Sequence, residues 1–178
     1  MKLVSDRTPK SPSTLHSIAE PSFYYFAYGS CMCPVDLKRS LGESTHNYVI
    51  GHATLPGYHL GFYRRSKFRA CGVLDVVTDT NASVEGVLYR LPMRLSAALD
   101  EREQGYQHEQ VTVHHRGVVY PSVRTYTVIE KSNKEYAPND WYFQVVLRGA
   151  TTCGLPEQYC WQLFNHMHQL QAQELQTA

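Results

Sequence analysis

The chain has 178 residues, 43% of them hydrophobic and 19% charged, which fits one globular domain with a buried core and excludes a wholly disordered chain. Seventeen Lys+Arg against sixteen Asp+Glu leave a net charge of +1, which argues against a broad electrostatic surface for nucleic acid or an anionic membrane. No stretch reaches the ~18 apolar residues of a membrane helix, the N-terminus lacks the apolar core of a secretory signal, and the five cysteines match neither a common zinc spacing nor a CxxC pair; a cytoplasmic protein with reduced thiols is expected.

In chain order, residues 1–21 are rich in Ser, Thr and Pro without periodicity and are expected to form a flexible tail. A single domain is expected over 22–170. It opens with FYYFAY (23–28), an aromatic run that reads as a buried strand. Gly29-Ser30 then turn the chain, and Pro34 suits the first turn of a helix, so the opening unit is strand, tight turn, helix. Strands are predicted at 48–55 and 58–65, separated by a turn at Pro56-Gly57. Two more are predicted at 70–77 and 84–91, separated by a polar turn over 78–83, and together these read as a meander. A helix is predicted from about Pro92 to Gly105, with Leu95 and Leu99 four apart on one stripe. Strands at 109–115 and 118–130 and a polar loop at 131–140 follow. Trp141, Val145 and Gly149, with Tyr142, Val146 and Ala150 beside them, recur at helical spacing, and Gly154-Leu155-Pro156 stops that helix. A last helix carries Cys160, Leu163, Phe164, Met167 and Leu170 on one face, and the glutamine-rich end, 171–178, is expected to fray.

Two segments carry chemistry. In Tyr28-Gly29-Ser30-Cys31-Met32-Cys33, a glycine after a buried strand allows a sharp turn, and the following helix points free N–H groups back at it, a setting that binds carboxylate or phosphate. The P-loop pattern GxxxxGK[ST] is absent. In Leu99-Asp100-Glu101-Arg102-Glu103-Gln104-Gly105-Tyr106, the stripe of Leu95 and Leu99 continues by four to Glu103, so the helix aims one carboxylate at the interior. Burial and the negative end of the helix should both raise its pKa, as a general base and acid requires. Cys31 and Cys33 would be redox-sensitive if a helix N-terminus lowered their pKa; small semi-buried residues are the simpler expectation. The basic, aromatic run YRRSKFR (63–69) is read as a solvated hairpin end. His114-His115 on a strand and His166/His168 on a helix diverge too far for a metal site.

FAYGS near the start and LDEREQGY about 75 residues later resemble the signatures of the gamma-glutamylcyclotransferase family, which includes the AIG2-like proteins. The segment from Tyr142 to Pro156, ending GATTCGLP, is similar to the family's late Tyr…GxxxxGLP segment. The resemblance covers residues 23–165. It departs from the pattern at two positions: Cys31 stands where the family commonly has asparagine after YGS, and Gln104 precedes the glycine expected directly after the glutamate. The resemblance implies an α+β fold, a mixed, mostly antiparallel, barrel-like sheet with flanking helices and a pocket at the C-terminal end of the first strand. It also implies conversion of a gamma-glutamyl amide or peptide to 5-oxoproline plus a free amine or amino acid. Glu103 would be catalytic; Tyr28, Gly29, Ser30, Cys31 and Met32 would bind substrate, with Tyr106 and Tyr142 lining the pocket. No cofactor and no metal are expected, and the partner is a small gamma-glutamyl molecule rather than nucleic acid or membrane. A local cation from Arg64, Arg65 or Arg102 would suit such a substrate. Three matters stay open: a gamma-glutamylamine substrate with a non-amino-acid leaving group, a non-catalytic binding or regulatory module keeping the pocket, and a homodimer built on the Tyr/Trp-rich helices.

Overall fold

The computed structural model describes residues 20–177, so the expected tail lies outside the described residues except for its last two. Five strands close into a barrel in the order β1-β3-β2-β4-β5, and β5 returns to pair with β1. β1 (Ser22–Ala27) runs antiparallel to β3 (Cys71–Pro92), from Ser22 opposite Pro92 to Ala27 opposite Val87, and meets β5 (Val118–Val128) in parallel at Tyr25 and Arg124. The sheet is therefore mixed and mostly antiparallel, with helices outside it, as the resemblance implies.

The meander is corrected. The four short strands expected between 48 and 91 are two long ones, β2 (Val49–Ser66) and β3, which pair with each other from Val49 opposite Tyr89 to Ser66 opposite Cys71. The two turn signals, Pro56-Gly57 and 78–83, fall opposite each other in this hairpin and are absorbed as an irregularity. Pro56 pairs with Ser83 and Tyr58 with Thr78, and Gly57 has φ +80°. The true reversal is at 67–70, in the connection between the second and third of those expected strands. β3 therefore borders both β1 and β2, which a strict meander forbids.

The core holds Phe26, Phe62, Leu88, Tyr89, Val113 and Val123, all fully buried. α1 (Pro34–Leu41) follows β1 after a 3-10 turn (Ser30–Met32), and α2 (Ser96–Arg102) follows β3 after a second such turn. β4 (Tyr106–His115) and β5 form the next hairpin. α3 (Asp140–Thr152) is capped by the Asn139 side chain, which accepts from the Tyr142 N–H. It buries Tyr142, Val145, Val146, Gly149 and Ala150, the expected face, and leaves Trp141 at the surface. α4 (Glu157–Thr177) buries Leu163 and Met167 and continues through most of the glutamine-rich segment. Gln171 there donates to the Pro138 carbonyl and to Asp140, tying the segment to the N-terminus of α3. Among the described residues no helix is long and apolar enough to cross a membrane.

Candidate active site

The last three residues of β1 are buried, and the chain leaves the barrel at Tyr28, whose hydroxyl donates to the Tyr126 carbonyl at 2.5 Å. Gly29 then passes close to α3: a Cβ added there would lie 3.1 Å from the Tyr142 hydroxyl, so a residue without a side chain permits the approach. The 3-10 turn closes with Met32 N–H on the Gly29 carbonyl and Cys33 N–H on the Ser30 carbonyl. The fully buried Tyr89 hydroxyl donates to both the Cys31 and Met32 carbonyls at 3.1 Å. With its carbonyls drawn inward, the turn presents its leading N–H groups, which have no partner within a 3-10 helix. Pro34 occupies the start of α1 as expected.

Glu103 caps the C-terminus of α2. Its N–H bonds the Leu99 and Asp100 carbonyls and its carbonyl accepts from Tyr106 N–H, closing a four-residue turn with Gly105 third at φ +84°. That turn explains why glycine stands at 105 rather than 104: the third position is where the backbone turns left-handed. The stripe expected from spacing is present, with Leu99 fully buried and the Glu103 side chain only 13% exposed.

Cys31 joins the two segments. Its thiol donates to Glu103 Oε1 at 3.1 Å and accepts from Arg102 Nε at 2.9 Å. The same guanidinium reaches Ser30 Oγ at 3.1 Å, Asp36 Oδ2 at 2.6 Å and Ser40 Oγ, and lies 3.7 Å from Glu103 Oε1. Burial pushes the Glu103 carboxyl above its ordinary pKa, while Arg102, the Cys31 thiol and the more distant Arg69 and Arg64 pull it down. Burial likewise pushes the Cys31 thiol up to about 12 despite Arg102, so at neutral pH it is a protonated donor and not a reactive thiolate. Burial opposes the charge of Arg102, yet Cys31, Glu103 and Asp36 together raise its pKa, so it stays a cation.

A cavity of about 1090 Å³ opens between these segments. Tyr28, Gly29, Ser30, Cys31, Glu103, Tyr106 and Tyr142 all line it. Met32 does not: its side chain is fully buried and packs near Gly149 of α3, since successive side chains of a 3-10 turn point about 120° apart. Tyr106 and Tyr142 are held by one backbone unit, the Tyr106 hydroxyl donating to the Leu74 carbonyl at 2.8 Å and the Leu74 N–H donating to the Tyr142 oxygen at 3.1 Å. Asp36, buried in the first turn of α1, was not legible as a site residue; its partner is 66 positions away. The basic run 63–69 is the hairpin end expected, with Arg65, Lys67 and Phe68 exposed; Arg64 and Arg69 depart from that reading, half-buried against aromatic rings of the cavity. Among the described residues no group of three or more His, Cys, Asp or Glu is placed to hold a metal ion.

The model of the AIG2-like family matches residues 83–163. YkqA of Bacillus subtilis (strain 168), provisionally named a gamma-glutamylcyclotransferase, is 32% identical over 151 residues, covering 83% of this chain and 53% of YkqA. This chain thus spans about half the length of that curated relative. The crystal structure of YkqA matches with a TM-score of 0.76 at 31% identity, over 84% of this chain and 55% of that one. A solved gamma-glutamyl cyclotransferase matches with a TM-score of 0.73 at 23% identity, over 80% of this chain and 86% of that one. A yeast gamma-glutamyl cyclotransferase specific to glutathione matches with a TM-score of 0.58 at 12% identity, over 84% and 96% of the two chains. The last two are likenesses of fold. With FAYGS and LDEREQGY brought to the two sides of one cavity, the chain has the gamma-glutamylcyclotransferase-like fold and is similar in sequence to that family and its AIG2-like members.

Proposed function

We propose that this chain is a gamma-glutamyl cyclotransferase. It converts a gamma-glutamyl amide or peptide into 5-oxoproline and a free amine or amino acid. The observation that supports this reading most is the shielded Glu103 carboxylate, hydrogen-bonded to Cys31 of the turn at 28–31 inside a cavity large enough for a small peptide.

The reaction suits a site built this way. Nucleophile and electrophile belong to one substrate molecule, so holding the gamma-glutamyl chain folded supplies a large effective concentration. Glu103 takes a proton from the substrate's α-ammonium. The freed amine nitrogen attacks the γ-carbonyl carbon, and its electron pair forms the new C–N bond while the carbonyl oxygen gains negative charge. In that tetrahedral species Glu103 gives its proton to the leaving nitrogen and takes the second proton from the attacking nitrogen; collapse breaks the original C–N bond, leaves a lactam N–H, and the second proton departs with the released amine. A carboxyl raised toward neutrality by burial serves both transfers. The leading N–H groups of the turn are the donors for the α-carboxylate or the developing oxyanion. Arg102 keeps Cys31 and Glu103 in place, and its own charge is already shared with Asp36.

The test is 5-oxoproline release from a panel of gamma-glutamyl dipeptides and gamma-glutamyl amines, with wild type and Glu103→Gln side by side. Turnover by wild type and a loss of ~10²–10⁴-fold in the variant are expected, the usual contribution of a positioned acid–base. Near-full activity in Glu103→Gln rejects the residue assignment. No product from any member of the panel rejects the enzyme in favour of a binding module.

A further inference from the structure

The catalytic groups occupy one end of the cavity; the other end is made by the tip of the β2–β3 hairpin. Two arginines from that tip sit over the rings of the two tyrosines of the site. The Arg64 guanidinium sits 5.0 Å over the Tyr106 ring and donates to the Gln104 carbonyl at 2.5 Å. It also fills the space over Gly105, where an added Cβ would lie 2.1 Å from its terminal nitrogen. Arg69 sits 5.7 Å over the Tyr142 ring and 4.7 Å over Trp141. Of the other cations of this end, Arg65 faces Glu174 and Lys131 holds the buried Asp75, while Lys67 is exposed at the turn itself. Arg64 and Arg69 form no ion pair with a carboxylate among the described residues. Glu101 and Glu130 also line the cavity, so its surface is not uniformly positive; Arg102, Arg69 and Arg64 are the cations there that bear on Glu103, and of these Arg102 is already paired with Asp36.

We infer that Arg64 and Arg69 form a subsite for an anionic group on the leaving side of the substrate, the carboxylate of a departing amino acid or peptide. This rests on the cyclotransferase reading above and adds the specificity within it. Two guanidiniums held by aromatic stacking lose little conformational freedom on meeting a carboxylate, and their planar forks match its geometry. A neutral or cationic amine leaving group finds no such partner and meets two uncompensated positive charges.

The experiment compares gamma-glutamyl-alanine with gamma-glutamyl-alaninamide, which differ only in the charge of the leaving group, by 5-oxoproline release. The expected kcat/KM ratio favours the acid by about tenfold or more, the scale of charge-assisted hydrogen bonds. The ratio should shrink as salt is raised and collapse toward unity in Arg64→Gln and Arg69→Gln. The wild-type ratio needs no variant, so it decides the matter even where a substitution disturbs the hairpin. A wild-type ratio near one, or one unmoved by both substitutions, overturns the subsite while cyclotransfer stands. No product from either compound overturns both.

Discussion

Replacing Arg102 with glutamine removes the cation shared by Asp36, Glu103 and the turn. The side chains of Arg102, Asp36 and Glu103 are 8%, 6% and 13% exposed, so water screens them poorly and neither acid finds another cation within ion-pair distance. Removing one partner of a buried pair typically costs ~3–5 kcal/mol, because the other charge is left uncompensated. Against a domain stability of ~5–15 kcal/mol that is a large fraction. At ~2–4 °C per kcal/mol for a chain of this size, the melting temperature should fall by roughly 6–20 °C. Urea unfolding at pH 7 measures the cost directly, with an unchanged m-value showing that the native state has not loosened. Asp36→Asn in the same background should recover part of the loss, since it removes the stranded charge, and the double-mutant cycle should return a coupling above ~1 kcal/mol. A cost below ~1 kcal/mol for Arg102→Gln refutes the view that this guanidinium organises the site. In whatever fraction stays folded, the acid limb of the kcat/KM profile should move to higher pH, because the strongest influence holding Glu103 down has gone.

The remaining expectations are shorter. Glu103 has its folded pKa raised, so between its unfolded and folded pKa values the native state binds more protons, and its contribution to stability falls as pH rises through that window. Glu103→Gln should therefore flatten the pH dependence of the melting temperature just above the ordinary carboxylate range, and a steeper dependence contradicts the shift. Wild-type kcat/KM should fall as pH drops through the raised pKa, since the free enzyme needs the carboxylate as base; a flat acid limb in steady-state assays counts against Glu103. Gly149→Ala puts a Cβ 2.6 Å from the Cys33 nitrogen and 2.8 Å from the Met32 carbonyl carbon, both backbone, so the turn must shift. A fall in both melting temperature and kcat is expected, and a variant equal to wild type in both disproves the tight contact. Leu99→Ala hollows the stripe beneath Glu103 and should cost ~2–5 kcal/mol by urea unfolding.

Short-range signals carried the site. A buried aromatic strand, a glycine and a proline at the next helix start are all local, and they mark the turn correctly. The spacing of Leu95, Leu99 and Glu103 likewise needs only the period of a helix. What failed to show in the sequence depends on pairing. Pro56-Gly57 and 78–83 each look like a chain reversal in isolation, and only their opposition across one hairpin makes them a bulge. Met32 follows the signature loop in sequence, but its side chain packs into the core against Gly149, a contact 117 positions away. Arg102 and Asp36 meet across 66 positions, and no periodicity reports that distance. The cysteine that breaks the family's usual pattern at 31 proved a connector between the turn and the glutamate.

Tyr106 and Tyr142 are both pinned to Leu74 through its amide and carbonyl, never through its side chain. The spacing of the two walls is thus set by the backbone N–H and C=O of one residue, a pair that every amino acid but proline possesses in full. Sequence drift at position 74 can retune the packing behind the walls while leaving their separation intact, and proline is the one replacement that unfastens Tyr142 outright.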